Sequence, residues 1–227
     1  MTAPFLPEID RARLARLSNR NTRHRLIRGQ PKRVSNLSIA KVSIMPLAFL
    51  PVARLIPIAA LAMAFAPGLA MAQSFELGLS AYNRADFERA FDEWDAIAQF
   101  GNPRAQFGLG LLYSLGQGVE EDDVRAMDWF ARAARHGHPG AQLFLAHGYE
   151  TGKGVALDTE QAFHWYLQAA EQGLGKAQNN LGRLFENGVG VTPDIDVAIY
   201  WYEEAARNGN ANARANLARL MNSLIEK

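Results

Sequence analysis

The chain has 227 residues, and its 24 Lys and Arg nearly balance 23 Asp and Glu, but residues 1–72 hold 11 basic and 2 acidic residues while residues 73–227 hold 13 basic and 21 acidic. The longer part is therefore acidic (13 minus 21, net −8), which argues against a nucleic-acid partner, whose binders present clustered positive charge. There is no cysteine, which excludes disulfide scaffolds, thiolate zinc sites, cysteine nucleophiles and cysteine-linked lipid anchors.

Residues 1–44 carry ten basic residues, few apolar ones and no periodicity, the composition of a disordered segment. Residues 55–66 read LIPIAALAMAFA, 12 apolar residues behind Arg54 and ahead of Pro67-Gly68 and the small-residue site Ala70-Met71-Ala72. That order predicts a signal peptide over 45–72, cleaved after Ala72. A spanning helix needs about 20 apolar residues, and extending this run toward Met45 takes in Pro46, Pro51 and Arg54. Met45 opens a signal peptide of ordinary length, so translation is expected to start there; a long basic leader from Met1 is the alternative. Export would place residues 73–227 in the periplasm of a bacterium with two membranes, or outside the cell.

From residue 105 onward a period of 36 organises the chain, after a shorter version of the same unit. Ala105, Ala141, Ala177 and Ala213 are 36 apart, as are Leu109, Leu145, Leu181 and Leu217. Tyr113, Tyr149 and Phe185 keep the same interval, as do Gly116/Gly118, Gly152/Gly154 and Gly188/Gly190, and Trp129, Trp165 and Trp201. Each period predicts two helices. The first has apolar residues at 105, 109, 112 and 113, the stripe of a buried helical face. The G-x-G-V segment ends it, and Asp122, Asp158 or Asp194 stands where the N-cap of the second helix belongs. Gly137, Gly173 and Gly209 close each period.

The organisation predicted is a short tetratricopeptide-like hairpin over 73–104, full repeats over 105–140, 141–176 and 177–212, and a capping helix over 213–227 with a polar outer side. Recurrence assigns Trp129, Trp165, Trp201, Tyr113, Tyr149 and Phe185 to the repeat core. Gly148 stands where the other copies have Leu112 and Leu184, which predicts looser packing in the second copy.

The motif A-x3-L-G-x2-Y-x2-G-x-G-V-x2-D-x3-A-x2-W-x3-A-A-x2-G resembles the Sel1-like repeat, a relative of the tetratricopeptide repeat, over essentially all of residues 75–227. The resemblance implies an all-α fold, a right-handed α-solenoid of antiparallel helix pairs, acting as a non-enzymatic scaffold that binds a protein or peptide in its concave groove. Relatives in the cell envelope also suggest polysaccharide or peptidoglycan as an alternative ligand. Carried over by register, the groove positions include Phe107, Leu111, Leu115, Leu143, His147, Glu150, Asn179, Arg183 and Glu186, with Lys176 and Asn212 beside them. Phe107, Leu111, Leu115 and Leu143 would form an exposed apolar patch, the usual mark of a protein-binding surface; the competing reading is that neighbouring helices bury them.

No residue pattern points to catalysis, a cofactor or a metal. The G-x-G triplets follow helices, whereas a nucleotide fingerprint follows a strand. Glu120-Glu121-Asp122-Asp123 lacks the spacing of a calcium loop, and no carboxylate pattern joins His136 and His138 into a ligand set.

Overall fold

The computed structural model describes residues 67–225. The signal-peptide run over 55–66, Met45 and the basic segment 1–44 lie outside the described residues, while Ala72 falls within the first described helix. Among the described residues there are nine helices: α1 Pro67–Asn83, α2 Phe87–Ala98, α3 Pro103–Leu115, α4 Asp123–Arg135, α5 Pro139–Thr151, α6 Thr159–Glu171, α7 Gly175–Asn187, α8 Ile195–Arg207 and α9 Ala211–Ile225. Each packs chiefly on its neighbours in chain order, alternating within and between pairs. This is the all-α repeat architecture in which every unit buries its apolar face against the next. None of these helices is long and apolar enough to cross a membrane.

Local chemistry explains the boundaries. Asp122 Oδ1 accepts the Arg125 N–H at 2.9 Å, and Asp158 and Asp194 cap α6 and α8 in the same way. The first helices are capped less uniformly: by the Asn102 side chain, by the His138 imidazole and by Asn210, whereas Leu174 offers α7 no side-chain acceptor. Gly152 ends α5 in the left-handed conformation (φ 73°), and Asp158 N–H then bonds back to the Tyr149 carbonyl at 2.9 Å, closing the loop onto the helix it left. The first hairpin manages with three residues between α1 and α2, and there Ala85 takes the left-handed φ of 60°.

The second glycine of each G-x-G triplet has a different task. Gly154 abuts the start of α4, where an added Cβ would sit 2.6 Å from the Asp123 carbonyl carbon; Gly118 abuts Phe87 and Gly190 abuts Thr159 in the same register. These loops are thus seated on the second helix of the preceding unit, and only a glycine permits so close a backbone approach.

The structure departs from the sequence expectation in three places. Trp129 and Trp201 are buried, but Trp165 is half-buried, as are Tyr113 and Tyr149; Phe185 is buried. The aromatic residue following each tryptophan goes deepest: Phe130, Tyr166 and Tyr202 are fully buried. Packing at Gly148 is close, because Met127 fills the space left by the absent leucine, with its Sδ 2.5 Å from where a Cβ would be. The outer side of α9 is also less polar than expected, since Met221, Leu224 and Ile225 are exposed.

A buried amide recurs with the repeat. Gln106, Gln142 and Gln178 are buried, and each Nε2 donates to the carbonyl of the residue eight positions earlier: Ala98, Ala134 and Ala170. These carbonyls belong to the last turn of the preceding helix and also accept the N–H of Gly101, Gly137 and Gly173, so each glutamine is a second donor. Gln172 and Asn208 then donate to the Gln142 and Gln178 carbonyls, at 2.7 and 2.8 Å.

Candidate functional site

The residues predicted to face a groove separate into three groups. Phe107 belongs largely to the joint between units. Its ring stacks on the His138 imidazole, 4.4 Å between centroids, and meets Phe130 at 5.7 Å and Phe144 at 5.8 Å. Leu111 is half-buried against the core of α4 and α5. Leu115, at the end of α3, is 55% exposed. The four apolar residues therefore form no single exposed patch.

Glu150, Arg183 and Glu186 form the second group, and they bind each other's units. The Tyr166 hydroxyl donates to Glu150 Oε2 at 2.9 Å, and Arg183 of the next unit reaches Glu150 Oε1 at 2.5 Å. One period later the Tyr202 hydroxyl donates to Glu186 at 2.7 Å, and Arg219 pairs with Glu186 at 2.7 and 2.9 Å. Burial, and then the Glu150 carboxylate, push the Tyr166 hydroxyl far above its ordinary range. Burial, and then the bond that its hydroxyl donates to Glu186, do the same to Tyr202. Both hydroxyls thus remain protonated donors. In the first copy the same register holds Ser114, Phe130 and His147, so the carboxylate–tyrosine–arginine link is replaced by apolar packing and His147 receives no carboxylate from the preceding unit.

Leu143, His147 and Asn179 make up the third group and line a cleft of about 820 Å³. Its walls come from α5, α7 and the start of α9: Gly140, Leu143, Phe144 and His147 from α5, Lys176, Asn179 and Asn180 from α7, and Asn208, Asn210 and Asn212 around the start of α9. The His147 side chain is 62% exposed, its nearest carboxylate being Glu150 at 4.0 Å on its own helix. Asn179 accepts from Asn216 Nδ2 at 3.0 Å, and Asn210 donates to the Gly175 carbonyl at 3.1 Å. No acidic residue lines the cleft.

Phe144, Asn180, Asn208 and Asn210 are cleft residues that the register did not single out. The signal for two of them was compositional, in the run Asn208-Gly209-Asn210-Ala211-Asn212. Among the described residues no group of three or more His, Asp or Glu is placed to hold a metal ion.

The Sel1 repeat family model matches residues 103–138, 139–174 and 175–210, two residues ahead of the units drawn from the alanine register. A Sel1 repeat protein from Oxalobacter formigenes is 34% identical, with a TM-score of 0.61 over 63% of this chain and 59% of that one. A protective antigen present in uropathogenic Escherichia coli strains, displaying an SLR fold, is also 34% identical with a TM-score of 0.61, over 70% of this chain and 34% of that one. The chain thus spans 59% and 34% of the lengths of these relatives. No curated protein matches it. Proteins built of this repeat are typically interaction scaffolds. Three consecutive Sel1 repeats form the helix pairs from α3 to α8, and residues 103–210 of this chain are thus an array of the Sel1-repeat family.

Proposed function

We propose that this protein is a non-enzymatic scaffold that binds a protein or peptide partner along the first helices of its repeats, in the cleft between α5, α7 and α9. The observation that carries the reading is the cleft itself. It joins half-buried apolar side chains, Leu143 and Phe144, to exposed polar groups at its rim, the composition of a protein-recognition patch. Its volume lies within the range of built ligand sites, roughly 300–1,000 Å³. Phe144, the phenyl ring in its lining, is already stacked on Phe130 at 5.0 Å between centroids. A polysaccharide would find no free aromatic platform there, so the protein reading is favoured over the glycan one.

Export belongs to the same proposal. The apolar run at 55–66 and the site Ala70-Met71-Ala72 support cleavage after Ala72 and delivery to the envelope. Mass spectrometry of the mature protein should find Gln73 at its amino terminus.

Capture from an envelope extract, followed by mass spectrometry, tests the scaffold reading. Leu143→Glu places a charge in the cleft, and Leu157→Glu, in an exposed loop, serves as the control. A protein retained by the wild type and the control but lost with Leu143→Glu, with helicity intact in all three, is the expected result. If every retained protein binds Leu143→Glu equally well, the cleft is not the docking site. A glycan retained in place of any protein would establish the alternative.

A further inference from the structure

We infer that the cleft between α5, α7 and α9 takes an extended peptide in which an acidic side chain adjoins an apolar one. This rests on the scaffold reading and names the chemistry of its partner. The first argument is charge. Residues 73–227 carry 13 basic and 21 acidic residues, yet the cleft is lined by none of the acidic ones and holds Lys176 and His147.

The second argument is the register. At the second position of the first helices stand Arg104, Gly140, Lys176 and Asn212. Arg104 is committed, with its guanidinium 3.5 Å from Glu76 and 3.8 Å from the centre of the Phe75 ring. Lys176 has no ion partner among the described residues. His147 occupies the position at which Arg183 and Arg219 each hold a carboxylate of the preceding unit, but Ser114 stands where its carboxylate would be. The repeat thus leaves Lys176 with no ion partner among the described residues and His147 with only Glu150 of its own helix, 4.0 Å away, and both line the same opening.

The third argument is the match to a peptide over other acids. The Asn212 amide has both donors and an acceptor to offer, the combination that pairs with a backbone N–H and C=O at once. Leu143 and Phe144 supply an apolar floor for the adjoining side chain. A nucleic acid would meet the net negative body around the cleft and be repelled.

A displayed library of random seven-residue peptides, selected on the full chain, tests this. The expected survivors carry Glu or Asp next to an apolar residue. A selected peptide should bind about tenfold more weakly when its acid is changed to the amide, as expected for losing a hydrogen bond to a charged group. It should weaken by the same factor on Lys176→Gln, and the two changes together should cost no more than either alone. Lys176 is exposed, so its loss should leave the circular dichroism unchanged. Survivors without an acidic preference that are still lost with Leu143→Glu would overturn this inference and leave the scaffold reading standing. Selection of no peptide at all would also overturn it, and the scaffold reading would then stand or fall on the capture experiment.

Discussion

Replacing Gly154 and Gly173 by alanine, one at a time, separates two costs that glycines carry in this fold. Both residues are left-handed, with φ of 71° and 85°. A side chain in that conformation costs about 1–2 kcal/mol. At Gly173 nothing lies within 4 Å of the new Cβ, so that is the whole expected loss. At Gly154 the Cβ would lie 2.6 Å from the Asp123 carbonyl carbon and 2.9 Å from Met127 Cγ, besides striking the Asp123 carbonyl oxygen. Backbone cannot swing aside as a side-chain end can, so the loop must lift off α4. Overpacking of this kind adds about 1–3 kcal/mol, which brings the total to about 2–5 kcal/mol. Urea melts followed by far-ultraviolet circular dichroism measure both variants, with the midpoint shift converted through the slope. If Gly154→Ala loses no more than Gly173→Ala, the G-x-G loops are turns alone, and the contact between units is not what holds their second glycine.

Three further outcomes are expected. Tyr202→Phe should destabilise by about 1–2 kcal/mol because Glu186 loses a buried donor; adding Glu186→Ser, which rebuilds the first copy's chemistry, should cost less than the sum of the single changes by at least about 0.5 kcal/mol in a double-mutant cycle, and simple additivity would refute the link. Ala85→Gly should stabilise the first hairpin, raising the urea midpoint by the equivalent of about 1 kcal/mol, because it relieves the left-handed alanine at φ 60°; an unchanged or lowered midpoint would show that this turn is not strained. Burial, and then the Arg104 cation, hold the His138 imidazole below its ordinary value of 6.5, so below that pH the unfolded chain takes up a proton that the folded chain resists. Stability is then full above about 6.5 and declines as the pH falls through 6.5 toward the lowered value, and His138→Asn, which caps α5 without titrating, should flatten the slope; identical pH profiles would remove the cap from the explanation.

The fold was legible because its determinants repeat. A buried alanine or leucine recurring every 36 residues marks the face of a helix, and a glycine or aspartate at the same interval marks where that helix stops and the next begins. Depth within the unit was less legible. Trp165 keeps the period of Trp129 and Trp201 but is half-buried, because period reports position along the unit and not how far the neighbouring unit covers it. Gly148 misled for a related reason. The missing leucine is compensated by Met127, which lies 21 positions earlier and on a different helix, and a comparison of like positions does not look there.

The polar residues show where such a comparison should look. Glu150 pairs with Arg183, and Glu186 with Arg219, each 33 residues apart; Gln142 and Gln178 each accept from a residue 30 further on. These offsets are as regular as the 36-residue period, but they join unlike residues, so a search for identity passes over them. Once they are known, the register reads differently. Glu150, Arg183 and Glu186 are accounted for within the chain, and Phe107 is accounted for by the joint with α5. What remains is what the repeat leaves without a link between units: His147, because Ser114 stands where a carboxylate would be, and Lys176, because it has no ion partner among the described residues. In a repeat protein a polar side chain at a position that elsewhere links units, but which makes no such link itself, is a candidate for a ligand, and here two of them line one cleft. That is why the candidate site follows from the breaks in the pattern, although the fold follows from the pattern itself.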